Sequence, residues 1–385
     1  MARAPAVAVG AGLDGSPGSL APSSPDAPAG WRSSVPGPGR DDGAGQGGLR
    51  DGAARRGVGR EGVGREGVER EGASLRVPFD RPVTDGGYGW FYLDGVSDDG
   101  ASAVVLIALL GNVFSPRRAR ARAAGRPARA LDFSAVNVAV HGPRRSRWAM
   151  TERGAQAVVR SRDELRIGAS GLGWEGDALV AHVNERSAPW GARVAGTLRF
   201  RPEICASAAV TLDAAGRHLW YPQAPFGRIE VDFREPALRF RGHGYFDANF
   251  GVEPLEDAFA SWTWSRFATG DAVSIAYDVS LRDGTAHGRG VQISRLGEAS
   301  PLEPGPTKQL APTRFRLARP VRSEAGARVA LVRTLEDGPF YARSLVATSL
   351  RGRPALGMHE TVSLDRFGAP WVRFLVPFRM RVEGA

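Results

Sequence analysis

Beyond residue 75 the apolar residues of this 385-residue chain recur with a period of two, not 3.6. Ile229, Val231 and Phe233 alternate with Glu230 and Asp232. Val273, Ile275, Tyr277, Val279 and Leu281 alternate with Ser274, Ala276, Asp278 and Ser280. Near the C-terminus Val372, Phe374, Val376, Phe378, Met380 and Val382 stand opposite Arg373, Arg379 and Arg381. A two-residue period places one set of side chains on each face of a strand, so these stretches predict strands buried on one side. Turn-forming clusters such as SDDG (97–100), LDAAG (212–216) and LRDG (281–284) separate them. Patterns for long amphipathic helices are absent. The expected fold is all-β and antiparallel, too long for one small sandwich, and therefore two barrel-like or sandwich-like domains over 76–225 and 226–385. WYPQAPFGR (220–228) is the expected connection between them. Barrels of this size can enclose a ligand.

Residues 1–75 are built from Gly, Ala, Pro, Ser, Asp and Arg, with the short repeat GREGV, GREGV, EREGA across 59–73. Such a composition cannot offset the entropy of ordering it, which predicts a disordered tail; its weakly apolar start does not read as a signal peptide. The tail holds nine Arg and nine acids, so the net charge of +10 belongs to the remainder. There the densest cluster is Arg117, Arg118, Arg120, Arg122, Arg126 and Arg129. It reads as a solvated loop, as a contact for an anionic membrane or as a phosphate-binding run. No nucleic-acid-binding motif accompanies it, and no nucleic-acid partner is expected. One cysteine, Cys205, excludes a disulfide framework, and the spacing of the six histidines predicts no metal site. The apolar run 101–110 is about half the length of a membrane-spanning helix. GLGWEG (171–176) matches a nucleotide-loop pattern but sits among strand signals, and no cofactor is expected.

The chemistry-bearing residues are embedded in aromatics. In GHGYFDANFG (242–251) a two-residue period puts His243, Tyr245, Asp247 and Asn249 on one face and Phe246, Ala248 and Phe250 on the other. His218 and Trp220 share a face in the same way. The polar set either satisfies itself in a buried network or serves a reaction. A lone carboxyl group among aromatic rings suits protonation of an unactivated carbon–carbon double bond, because aromatic faces stabilise the resulting cation. An ordinary Asp is only about 0.1% protonated at pH 7, and holding it neutral costs roughly 4 kcal/mol. Burial among aromatics raises its pKa and brings the acid form within reach.

The blocks GGYGWFYLDGVSDDG, GNVFSP, NVAVHGPRRSRWAMTERG, HLWYPQAPFGRIEV, GHGYFDANFG, RTLEDGPFYARS and MHETVSLDRFG resemble, in order across about residues 78–382, the carotenoid 1,2-hydratase (hydroxyneurosporene synthase) family. The resemblance implies two lipocalin-like β domains and cofactor-independent addition of water across the terminal C1–C2 double bond of an acyclic carotenoid such as neurosporene or lycopene. It carries an H-x-W motif onto His218 and Trp220, and a Y-x-D motif onto Tyr245 and Asp247. Asp247 would then donate the proton, Trp220 and Tyr245 would flank the cation, and His218 would orient the acid or accept a proton from the attacking water. His243, Asn249, Trp262 and Trp264 are candidates for lining the substrate site. Asp94, Asp98 and Asp99 read as turn residues. His359 and Glu360 match a family block with no assigned role. A water-insoluble polyene also implies peripheral contact with an anionic membrane, through the Arg117–Arg129 region, and a cytoplasmic protein at the inner photosynthetic membrane. The competing readings are a non-enzymatic carrier of apolar polyenes and a protonation-initiated terpenoid cyclase.

Overall fold

The computed structural model describes residues 76–303 and 305–384. The tail expected over 1–75 lies outside them. Within the described residues strands dominate. Thirteen form one sheet, whose order runs from Arg381–Glu383 through Ser146–Arg153, Ser134–His141, Ala103–Leu110, Tyr88–Ser97, Ala237–Gly251, His218–Glu235, Arg193–Ile204 and Ala178–Arg186 to the short strands between 158 and 175; Val210–Thr211 pairs alongside His218–Glu235. Seven more form a second, antiparallel sheet centred on Ala272–Leu281, Phe259–Thr269, Arg353–Ser363 and Tyr341–Leu350.

The first sheet curls on itself. Arg153, near one end of the strand order, makes two parallel hydrogen bonds of 3.0 and 2.9 Å to Glu185 near the other end, with both side chains buried. Its concave face is filled by Phe91, Leu93, Leu106, Val138, Leu198, Phe200, Phe233, Phe246 and other aliphatics. Burying such a side chain contributes about 1.5–3 kcal/mol. The close fit explains the glycines of the GHG run: a Cβ at Gly244 would lie 2.8 Å from Phe200, and one at Gly95, its register partner, 2.8 Å from Ile229. The convex face of the same strands packs on the second sheet through Tyr88, Tyr92, Trp220, Tyr245, Trp262, Trp264, Ile275, Tyr277 and Met358. Among the described residues the two largest apolar cores therefore lie inside the curl and between the sheets.

Several local expectations change. WYPQAPFGR is not a connection; it lies within the His218–Glu235 strand, so that the border expected at 225/226 falls inside a strand and the first sheet continues to Gly251. Pro222 and Pro225 lack an N–H for the ladder, and the pairing shifts register between Tyr221 and Gly227 rather than ending. The period-two stretch at 372–382 forms a short helix, Pro370–Leu375, and a helical turn, Val376–Phe378, with only Arg381–Glu383 extended. Pro370 suits the first turn of a helix, and Pro377 cannot donate to a sheet. The start of the arginine cluster is a helix, Pro116–Ala123, capped by Ser115. Asp94 is not in a turn: it lies in the Tyr88–Ser97 strand and is fully buried. Asp98 and Asp99 do form the turn that follows.

Candidate active site

Asp247 sits on the convex face of Ala237–Gly251, opposite Tyr92 on one neighbouring strand and two residues along from the Trp220–Asn249 pair on the other. Trp220 Nε1 donates to its Oδ2 at 2.8 Å and the Tyr245 hydroxyl donates to the same oxygen at 2.7 Å. Trp220 Nε1 also lies 3.3 Å from the Tyr245 oxygen. Oδ1 is buried without a hydrogen-bond partner. The residue as a whole is 5% exposed, and the pKa of its carboxyl group is pushed up to about 7. Burial is the main cause; the Tyr245 and Trp220 hydrogen bonds oppose it, while the charges of Glu360 and Asp94 add to it. Burial pushes the Tyr245 phenol well above its ordinary range, so it remains a donor.

Aromatic faces surround this acid. The rings of Tyr245 and Trp264 are 5.1 Å apart, those of Tyr92 and Trp264 5.8 Å, and those of Trp220 and Tyr277 5.7 Å. Trp264 comes from the second sheet, flanked in register by Tyr277 and Glu360. Its indole Nε1 is buried and unpartnered, as is Nδ2 of Asn249. Three unsatisfied polar atoms thus lie in one apolar inter-sheet layer, where burying each without a partner costs about 1–3 kcal/mol.

A chain of charges borders the layer. Arg266 donates to Asp94 at 2.6 Å and stands 4.9 Å over the Tyr245 ring. Tyr92 bridges Asp94 at 3.1 Å and Glu360 at 2.8 Å. Glu360 receives Arg343 Nε at 2.8 Å, and Arg343 also pairs with Glu336. Burial raises the Asp94 pKa although Arg266 opposes it.

The structure thus brings together Asp247, Tyr245, Trp220, Asn249 and Trp264 from the expected set. Trp262 packs in the same inter-sheet core. His218 shares the face but not the contact: its ring atoms lie 2.9 Å from the Tyr88 hydroxyl and 3.2 Å from Glu253, and burial lowers its pKa. His243 is at the rim, stacked on Phe226 and beside Arg228 and Asp98, with burial and Arg228 taking its pKa down to about 4. Sequence reasoning missed Tyr92, Arg266, Tyr277 and Arg343 and left Glu360 without a role. Arg266 carried a signal: it continues the two-residue alternation of Trp262 and Trp264, which places a charge on an apolar face. No group of three or more His, Cys, Asp or Glu suited to a metal ion occurs among the described residues.

The fold and site define an all-β protein that holds a carboxylic acid, Asp247, among aromatic rings between two sheets. The family model for carotenoid hydratase CrtC matches residues 106–383, and the chain belongs to that family. It is 48% identical over 308 residues to an acyclic carotenoid 1,2-hydratase of Thiocapsa roseopersicina, covering 80% of this chain and 76% of that one. It is 41% identical over 310 residues to another protein of that name from Rubrivivax gelatinosus, covering 78% and 75%. Among solved structures, a Nitrosomonas europaea protein assigned as an AttH superimposes with a TM-score of 0.53 at 12% identity, over 71% of this chain and 92% of that one, which shows the fold alone.

Proposed function

We propose that this protein hydrates the terminal C1–C2 double bond of an acyclic carotenoid such as neurosporene or lycopene, with Asp247 as the proton donor. The observation that carries this reading is the divided carboxyl group: Oδ2 is held by Trp220 and Tyr245, while Oδ1 is buried and free. With a pKa near 7 the acid form is substantially populated at neutral pH. The Oδ1 proton passes to C2, the π electrons form the new C2–H bond, and a tertiary cation is left at C1. The faces of Trp220, Tyr245 and Trp264 stabilise that cation. Water adds its oxygen to C1 and loses one proton, which restores the acid, so the net change is the addition of one water. Asn249 and Trp264, with their unpartnered N–H groups, are suited to hold the water. Because Asp247 is 5% exposed, the polyene end reaches it only when the inter-sheet packing opens.

Incubation with detergent-dispersed neurosporene or lycopene in heavy-oxygen water tests the proposal. Labelled tertiary alcohol from the protein and none from Asp247→Asn is the expected result. Polyene that binds but emerges unchanged from both would point to a carrier, and an unlabelled isomer of the same mass to a cyclase.

A further inference from the structure

The arginine cluster at 117–129 was the expected membrane contact, but most of it is committed internally. Arg118 is buried and donates to the carbonyl oxygens of Gly111, Asp85 and Gly87. Arg117 pairs with Glu152, Arg122 with Glu256 and Asp257, and Arg129 with Asp132. The surface that remains unexplained is the segment 370–379, which the sequence pattern assigned to a strand. Its turn from strand to helix puts Val372 fully inside the inter-sheet core and leaves Trp371, Phe374, Leu375 and Phe378 49%, 68%, 42% and 54% exposed. Phe374 and Phe378 lie with ring centroids 5.4 Å apart, so the exposed apolar groups form a patch rather than scattered residues.

We propose that this segment docks the protein on an anionic lipid bilayer. Arg373 and Arg379 are exposed within the patch, the latter 5.2 Å over the Trp148 ring. The acids close by are already paired: Glu152 with Arg117, Glu383 with Arg153, and Asp365 with Arg282. An apolar aromatic face carrying two exposed arginines fits the interface, where rings enter the acyl boundary and guanidinium groups meet phosphates. The inner side of the same segment, through Val372, and the helical turn before it, through Leu364 and Phe367, pack into the cluster that contains Trp220, Tyr245 and Trp264. A polyene leaving the bilayer here would meet the apolar layer that leads to Asp247. In that last respect the proposal rests on the hydratase reading; docking itself does not.

Co-sedimentation of the full chain with vesicles of phosphatidylglycerol and phosphatidylcholine, against phosphatidylcholine alone, tests it without any turnover. Binding to the anionic vesicles is expected, weakened by salt, with at least a tenfold loss of partitioning in Phe374→Ser/Phe378→Ser and less than a twofold change in Arg120→Gln/Arg126→Gln. Acyl-brominated lipid should quench tryptophan fluorescence, and Trp371→Phe should remove most of that quenching. Thermal melts keep the comparison to folded protein, and hydration in detergent should survive in the Phe374→Ser/Phe378→Ser variant. Unchanged vesicle binding by that variant would overturn the proposal. So would a dimer, abolished by the same substitutions, in a protein that ignores vesicles, since the patch would then belong to a second copy of the chain.

Discussion

The indole N–H of Trp220 reaches Oδ2 of Asp247 from the adjacent strand at 2.8 Å, on the oxygen that also accepts the Tyr245 hydroxyl. Two donors on one oxygen orient the carboxyl group and direct any proton to Oδ1. Asp247→Asn keeps the shape and the acceptor but removes the acid. Hydration should fall by about a thousandfold, within the 10²–10⁴ range typical of general acid catalysis. Carotenoid binding, followed by the absorption shift of the bound polyene, should persist; substantial turnover by the variant would remove Asp247 from the reaction.

The acid must be protonated to react, so turnover should decline as pH rises through about 7, the pKa of Asp247. Tyr245 and Trp220 hold that pKa down by favouring the carboxylate. Tyr245→Phe should therefore move the falling limb to higher pH, and Glu360→Gln, which removes a nearby negative charge, should move it lower. Initial rates between pH 5 and 9 decide the matter, and a limb indifferent to both changes would belong to another group.

The same shift predicts a stability effect. A carboxyl group with a raised folded pKa binds its proton more tightly in the native state, so its contribution is fully present below about 3.8 and is lost as pH rises to about 7. At 1.36 kcal/mol per unit, the loss is on the order of 4 kcal/mol. Asp247→Asn should gain stability relative to the parent as pH goes from 4 to 8. Urea unfolding across that range would show a widening gap; parallel curves would contradict the assignment.

Arg266 and Asp94 are joined at 2.6 Å with both side chains buried, one from each sheet. Removing one partner of such a pair costs about 3–5 kcal/mol because the other charge is stranded, whereas removing both is often far milder. Arg266→Met should destabilise strongly, and Arg266→Met/Asp94→Asn should recover most of the loss. Equal destabilisation in the single and double variants would mean that Arg266 acts through packing rather than charge.

His218 offers a contrast with Asp247. Its ring is spent on Tyr88 and Glu253 rather than on the acid. His218→Gln should lower the melting temperature by several degrees yet leave the falling pH limb of turnover in place. A displaced limb would tie the imidazole to the acid electrostatically.

The face assignment in GHGYFDANFG was legible because a strand alternates sides whatever it packs against: Phe246, Ala248 and Phe250 fill the curl, and Tyr245, Asp247 and Asn249 face the other sheet. His243 obeyed the same alternation yet lies at the rim, since periodicity reports a face and not a depth. The C-terminal reading failed for a related reason, as alternation over 372–382 also satisfies a segment whose prolines favour a helix and exclude a ladder.

By itself the sequence determined the β class, the alternation of faces, the position of the acid among aromatics and the family resemblance, all of which depend on neighbours along the chain. Only the tertiary structure decided that the acid lies between two sheets, that Trp264, Arg266 and Glu360 face it from the second sheet, and that Arg118 is a buried strut. These contacts join residues far apart in the chain, and their energies depend on burial, which a local pattern does not encode. The Asp247 pKa is the clearest case: its rise follows from desolvation by a sheet that the residues around Asp247 do not themselves build.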